Sequence, residues 1–290
     1  MSAQTQKIWQ TVKTVVIDFA LTFWSVFDWR NDGFSCAGED TPKSKRLWHW
    51  LLFAAVVTGT ALRVLEFFVD ADLSRDSFFY VEVVEKWIRG GWDEVLKPVR
   101  YFFVPPCMLW WIKIFVQAGV PPLAAAIVVN MIAGITIIPL LYGIARVLFD
   151  NRKAGVIAAF LAAYNPRLVE YSTEVMRENF MLSGLAVMLL FTVLGFRKNS
   201  LYFLGSGFFT VYSILSRMEA LEVLPLMFLC FILMAVLRVY PLKKVLLQML
   251  YFVIGCAIGF IILYWLFGIP MDFYTKNLFR RGKSLLSWMF

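Results

Sequence analysis

Asp76 opens the stretch "SRDSFFYVEVVEKWIRGGW", Glu174 and Glu178 fall in "YSTEVMREN", Arg217 in "SRMEALE", and Arg280 with Arg281 in "NLFRRGK". These residue types suit one kind of chemistry. A carboxylate within reach of a hydroxyl can take its proton as a general base. Arginines and lysines supply the cationic donors that a phosphate leaving group needs as its charge develops. Each residue also has a plainer reading. A carboxylate in a polar loop is commonly just solvated, and an aspartate that starts a helix can simply cap it. What separates the readings is whether the rest of the chain gathers these residues at one place.

The chain is too apolar for a soluble domain. Of its 290 residues 60% are hydrophobic and only 17% charged, with a mean hydropathy of +0.71, against an apolar share of about 45–50% in soluble domains. It reads as an all-α polytopic membrane protein, with room for about seven spans of ~20 residues. The formal charge of +8 sits in short Lys/Arg clusters between apolar runs. That is the signature of the positive-inside rule, not of a nucleic-acid partner. Cys36, Cys107, Cys230 and Cys256 show no metal or disulfide spacing and read as packing residues.

The spans follow with a direction. Residues 1–46 read as a cytoplasmic amphipathic helix and linker: Ile8, Val12, Val15, Val16, Phe19, Phe23 and Phe27 recur at helical spacing, and Lys43, Lys45 and Arg46 close the segment. Leu47 to Val69 then crosses outward. Between Asp70 and Arg100 stand seven acidic and five basic residues; at about 2.5–3.5 kcal/mol for each charge at mid-bilayer, this segment belongs in water or at the interface. Tyr80, Val83, Val84, Trp87 and Ile88 form one stripe, with Glu82/Lys86 and Glu85/Arg89 as i,i+4 pairs and Gly90-Gly91 as the stop. "PPCMLWWIKIFVQAG" is too short to cross and reads as a second surface helix anchored by Trp110 and Trp111.

Spans near Leu123–Phe149, Ala154–Val169, Asn179–Phe196, Leu201–Ser216, Ala220–Val239 and Val245–Phe267 complete a module over 47–269, with an outer loop at 70–121 and an outer tail at 270–290. This parity leaves Arg146, Arg152, Lys153, Arg197, Lys198, Arg238, Lys243 and Lys244 inside, and Glu170, Glu174, Glu178, Glu219, Glu222 and Asp272 outside. The chemically useful residues therefore meet at the outer face, as sugar transfer from a lipid phosphate would require. Glu178 and Arg217 stand out at span boundaries, where a polar group is costly unless paired. His49 reads as an interfacial residue, Gly255/Gly259 as helix packing, and Asn130, Thr136 and Pro139 as a cavity lining or a hydrogen-bonding site.

"SRDSFFYVEVVEKWIRGGW" followed by "VPPCMLWW" resembles the first outer loop of the GT-C superfamily of polytopic glycosyltransferases. The match is to the branch of protein O-mannosyltransferases, aminoarabinose transferases and Rgt-type lipopolysaccharide glycosyltransferases. "LLYGIARVLFDNRKAGVIAAFLAAYNPRLVEYSTEVMREN" resembles its second and third spans and acidic second loop, and "LSRMEAL" its Leu-Thr-Arg-Pro-Glu stretch. The resemblance runs from about Leu47 to Phe267 and implies inverting transfer from a polyprenyl-phosphate sugar to a hydroxyl of a lipid, glycan or protein. Asp76 would be the base, and Glu178, Arg217, Arg280, Arg281, Glu174 and Asp72 the substrate-binding set, with a divalent metal left open. The active face would look outward from the plasma membrane, or into the ER lumen in a eukaryote. Ser77 stands where relatives commonly carry Glu, and the chain ends at "SLLSWMF" soon after the last span. Two alternatives follow: a non-catalytic subunit with a partner, or a lipid flippase or transporter. The latter would place its charges in broken helices at mid-membrane.

Overall fold

The structure is a computed structural model. It describes residues 26–27, 42–70, 73, 75–96, 104–268 and 270. Among them every regular element is a helix: α1 Pro42–Asp70, α2 Arg75–Leu96, α3 Pro106–Gln117, α4 Pro122–Phe149, α5 Arg152–Tyr164, α6 Pro166–Thr173, α7 Arg177–Arg197, α8 Tyr202–Ser216, a 3-10 turn Met218–Glu222, α9 Val223–Val236 and α10 Leu242–Phe267. Local chemistry sets the boundaries. Pro106, Pro122 and Pro166 stand in the first turn of their helices, where a missing N–H costs nothing. Asn151 caps α5, its side chain accepting from the Lys153 amide at 2.8 Å. Asp150 just before it is left-handed (φ 51), so α4 and α5 turn back on each other within two residues.

The contacts sort the helix ends into two groups. At one end Arg197 donates to the Leu148 carbonyl at 2.7 Å and the Tyr240 hydroxyl to the Phe196 carbonyl at 3.0 Å. Arg146, Arg152, Lys153, Lys198, Arg238, Lys243 and Lys244 belong to the helices and turns of this basic end. At the other end Asn130 meets residues 171–174, Arg217 meets Glu178, and Trp92 donates to the Phe267 carbonyl at 2.5 Å. Among the described residues the chain passes between the two ends seven times, as the charge pattern predicts. Five of these passages are helices long and apolar enough to cross a membrane, in 46–69, 122–149, 177–197, 218–236 and 242–267. The other two are short: α8 has 15 residues, and α5, which begins the expected span Ala154–Val169, stops after 13, at Asn165-Pro166.

α8 holds its place by close packing. A Cβ on Gly207 would lie 2.1 Å from the Phe252 carbonyl, and one on Gly255 2.2 Å from that of Leu204. α8 and α10 therefore touch backbone to backbone, which is what the Gly255/Gly259 pattern predicts.

Three sequence readings are refined. α1 begins at Pro42, so the end of the expected linker, up to Arg46, is already helical. Gly90 and Gly91 kink α2 but do not end it; Gly91 is left-handed (φ 69), and the helix resumes to Leu96 with Trp92 and Val95 buried. Of the predicted stripe Tyr80, Val83, Val84 and Trp87 are buried while Ile88 is exposed. Val26 and Phe27 form a turn, with Val26 fully buried, its carbonyl accepting from Arg146 and its side chain against Gly143. The rest of the N-terminal segment lies outside the described residues. His49 is exposed at the basic end of α1, as expected.

Candidate functional site

α2 and α3 lie across the non-basic end and seal it with apolar faces. Val83, Val84, Trp87, Trp92 and Val95 of α2 and Cys107, Met108, Leu109 and Ile112 of α3 are all buried in one cluster with Val175 and Phe180. Trp87 packs on Trp92 with centroids 4.6 Å apart, and Lys113 of α3 sits 4.3 Å above the Trp87 ring, a cation–π contact between the two surface helices. Glu82–Lys86 at 2.5 Å and Glu85–Arg89 at 3.6 Å are the predicted pairs on the outward side. The amphipathic pattern fixes the roll of α2, and that roll decides where its first turn points.

Asp76 is in that first turn and is exposed, while Ser77 beside it is fully buried. One turn further on, Tyr80 is buried. Burial pushes its phenol up to about 12; the charges of Arg177, Asp76, Glu178 and Arg217 also act on it, the two arginines lowering it and the two carboxylates raising it. Tyr80 is thus a common neighbour of four charged groups from three separate segments, and it stays a neutral hydroxyl at physiological pH.

Arg217 is held from both sides. As the residue after α8, it pairs with Glu178 in the first turn of α7, and its Nε lies 3.1 Å from Glu219 of the 3-10 turn. The Arg217 and Glu178 side chains are only 26% and 17% exposed, so the pair is screened far less than a surface ion pair. This answers why polar groups stand at two span boundaries: they satisfy each other. Arg177, next to Glu178 in "MREN", makes no ion pair among the described residues and is part of the charge field on Tyr80. The sequence reading missed it. The available signal was its place beside a candidate acid at a helix start, where a cation runs against the helix dipole.

The remaining candidates are placed differently. The Glu174 carbonyl accepts from Asn130, in the loop that leads into α7. Asp72, Arg280 and Arg281 lie outside the described residues. Among the described residues no three His, Cys, Asp or Glu side chains assemble a metal-binding group, and no step below is routed through a metal. Cys107 is fully buried, with its thiol pushed up by that burial and a Ser216 hydrogen bond opposing the shift; it acts as packing.

Below the charged cluster the helices part. A cavity of about 280 Å³ is lined by Trp111 and Phe115 of α3, Ala133 and Thr136 of α4, Phe180 and Ser183 of α7, and Tyr212 of α8. A second, of about 440 Å³, shares Thr136, Ser183 and Tyr212 and continues to Pro139, Phe209 and Phe27. Thr136 and Pro139 therefore line a cleft, whereas Asn130 is spent on hydrogen bonds to the last turn of α6 and the loop after it. Phe180 and Ser183 follow Glu178 by two and five residues, so the cleft begins about 3–8 Å beneath the acid along the axis of α7.

A helical bundle with charged groups at one end, beside an apolar cleft between its helices, defines a polytopic membrane protein. A family model described as dolichyl-phosphate-mannose-protein mannosyltransferase matches residues 104–265, more than half of the chain. The chain belongs to that family, and with it to the GT-C superfamily of membrane glycosyltransferases. The matched stretch contains Glu174, Arg177, Glu178 and Arg217, while Asp76 precedes it. No curated protein and no solved structure matches the chain.

Proposed function

We propose that the protein moves a sugar from a polyprenyl-phosphate donor to an acceptor hydroxyl, with inversion, at the end of the bundle where α2 begins. The observation that carries this reading is the Arg217–Glu178–Glu219 cluster, in which the charges of Arg217 and Glu178, with those of Arg177 and Asp76, act on Tyr80, at the head of an apolar cleft that Phe180 and Ser183, on the helix of Glu178, line. In this reading Asp76, exposed to the acceptor side, takes the proton of the hydroxyl. The hydroxyl oxygen bonds to the anomeric carbon from the face opposite the breaking C–O bond, and the electron pair leaves with the polyprenyl phosphate. Arg177 receives the phosphate, with the neutral Tyr80 hydroxyl as a second donor. Arg217, already engaged by Glu178 and Glu219, holds those two acids away from the phosphate and joins in binding if one of them releases it. The donor's tail lies in the cleft between α4, α7 and α8. The positive-inside rule supports an outward active face, since the turns of the opposite end hold Arg146, Arg152, Lys153, Arg197, Lys198, Arg238, Lys243 and Lys244 against one acid, Asp150.

The test is transfer of radiolabelled sugar from a panel of polyprenyl-phosphate sugars in membranes carrying the intact chain, beside Asp76→Asn. Transfer that is lost by 10²-fold or more on substitution at equal protein level, roughly the contribution of a general base, supports the reading. Equal transfer by both chains removes Asp76 as the base. No transfer from any donor by the intact, folded chain favours a non-catalytic subunit.

A further inference from the structure

The break between α5 and α6 leaves a chemical debt in the bundle. In a continuous helix the carbonyls of Ala162 and Ala163 would accept from the amides of residues 166 and 167. Pro166 has no amide hydrogen. Arg63, fully buried on α1, supplies the missing donors: Nη2 to the Ala162 carbonyl at 3.4 Å, Nη1 to the Ala163 carbonyl at 3.2 Å and to Gly59 at 2.9 Å. The approach is close because Gly59 lacks a side chain; a Cβ there would lie 2.9 Å from that of Ala163. Arg63 makes no ion pair among the described residues. Its charge instead faces the carbonyl end of α5, the negative end of that helix.

The same guanidinium reaches past the break. Nε donates at 3.0 Å to Ser172 Oγ, which donates to the Leu168 carbonyl at 2.6 Å. Asn130 of α4 then donates to the carbonyls of Tyr171 (2.8 Å), Ser172 (3.2 Å) and Glu174, and Asn179 to that of Tyr171 at 2.7 Å. Arg63, Ser172, Asn130 and Asn179 are all completely buried. Seven backbone carbonyls, from Gly59 to Glu174, are thus gathered by side chains of four helices, and the segment they fix ends three residues before Arg177.

We infer that Arg63 is a positioning residue: with Ser172 and Asn130 it locks the α5–α6 break, the end of α6 and the 174–176 loop, and so sets Arg177 and Glu178 against Tyr80. This role rests on the proposed function only for its effect on transfer; the lock itself is independent of it. Arg63→Met alone leaves buried carbonyls without donors and loses stability. Arg63→Met/Pro166→Ala restores an amide for Ala162 and separates the two roles.

The readout is a cysteine at Val175, fully buried in the locked loop, reacting with a membrane-impermeant maleimide in the purified full chain, counted above the parent's own thiols. With Arg63→Met/Pro166→Ala the cysteine reacts about tenfold faster at recovered thermal stability, a ratio equal to about 1.4 kcal/mol of opening free energy. In that variant kcat/KM for the polyprenyl-phosphate sugar falls with it. Ser172→Ala, which removes the Oγ that accepts from Arg63 and donates to the Leu168 carbonyl while leaving Arg63 on the Ala162 and Ala163 carbonyls, gives a several-fold faster reaction and decides the matter if the double variant does not fold. Labelling at the parent's rate in the folded double variant, or in Ser172→Ala when the double variant does not fold, overturns the inference, because Arg63 would then only satisfy carbonyls. If the parent transfers no sugar, the functional reading fails while the labelling still judges Arg63.

Discussion

Tyr80 offers a direct measure of whether the site is as closed as its packing implies. Its phenol rises from the usual 10.0 to about 12, chiefly through burial. At 1.36 kcal/mol per pH unit this is roughly 3 kcal/mol of preference for the neutral hydroxyl in the folded state. The sign follows from proton binding: between pH 10 and 12 the unfolded chain loses the proton that the folded chain retains, so stability falls as pH rises. Below pH 10 both states keep the proton and the contribution is constant. Tyr80→Phe has no such group. Unfolding of the detergent-solubilised protein followed by tryptophan fluorescence from pH 8 to 12 should therefore give parallel curves up to about pH 10. Above it the parent should lose up to roughly 3 kcal/mol more than Tyr80→Phe. Arg177→Gln in the parent removes a charge that lowers the phenol, so the fall should still begin near pH 10 but continue to higher pH. Parallel curves through pH 12 would refute the burial of Tyr80 and with it the sealed packing of α2.

Other substitutions test the parts that support the site. Arg217→Gln leaves Glu178 and Glu219 facing each other and should cost about 1–3 kcal/mol, between the values for exposed and buried pairs; Glu178→Gln/Arg217→Gln should recover part of this in the same unfolding assay. Gly255→Val should cost about 1–3 kcal/mol or more through overpacking, since its side chain would strike the Leu204 backbone, and thermal unfolding would show it. Trp92→Phe removes the hydrogen bond to the Phe267 carbonyl and should cost about 1–3 kcal/mol for the unsatisfied acceptor, read as a lower unfolding midpoint. Asp76→Asn should leave the fold intact, its side chain being exposed, while abolishing transfer.

The all-helical class, the alternation of charge between the two ends and the roll of α2 were legible in the sequence because each is a local property. Hydrophobic run length reports spans, Lys/Arg clusters report one end, and the 3.6-residue period reports which face of α2 is buried. Ile88 is the exception, and the reason is tertiary: the stripe is wider than the surface that covers it. The break at Asn165-Pro166 was written in the proline but read as part of a span, because apolar length alone does not register a lost hydrogen bond. Its consequence needed Arg63, a hundred residues earlier. Buried in a span, that arginine is stabilised by carbonyls that only the folded bundle presents.

The site divides in the same way. The sequence by itself determined that Asp76, Glu178 and Arg217 belong to one end of the bundle, since each sits where an apolar run meets a polar turn. Only the tertiary structure decided that Arg217 is claimed by Glu178 and Glu219, that Tyr80 is the residue they share with Asp76, and that Arg177 is the neighbouring cation. Sidedness is fixed by the cost of moving charge across lipid, which local sequence encodes. Pairing depends on distances between α2, α7 and α8, and those are set by the glycines and core side chains through which the helices pack.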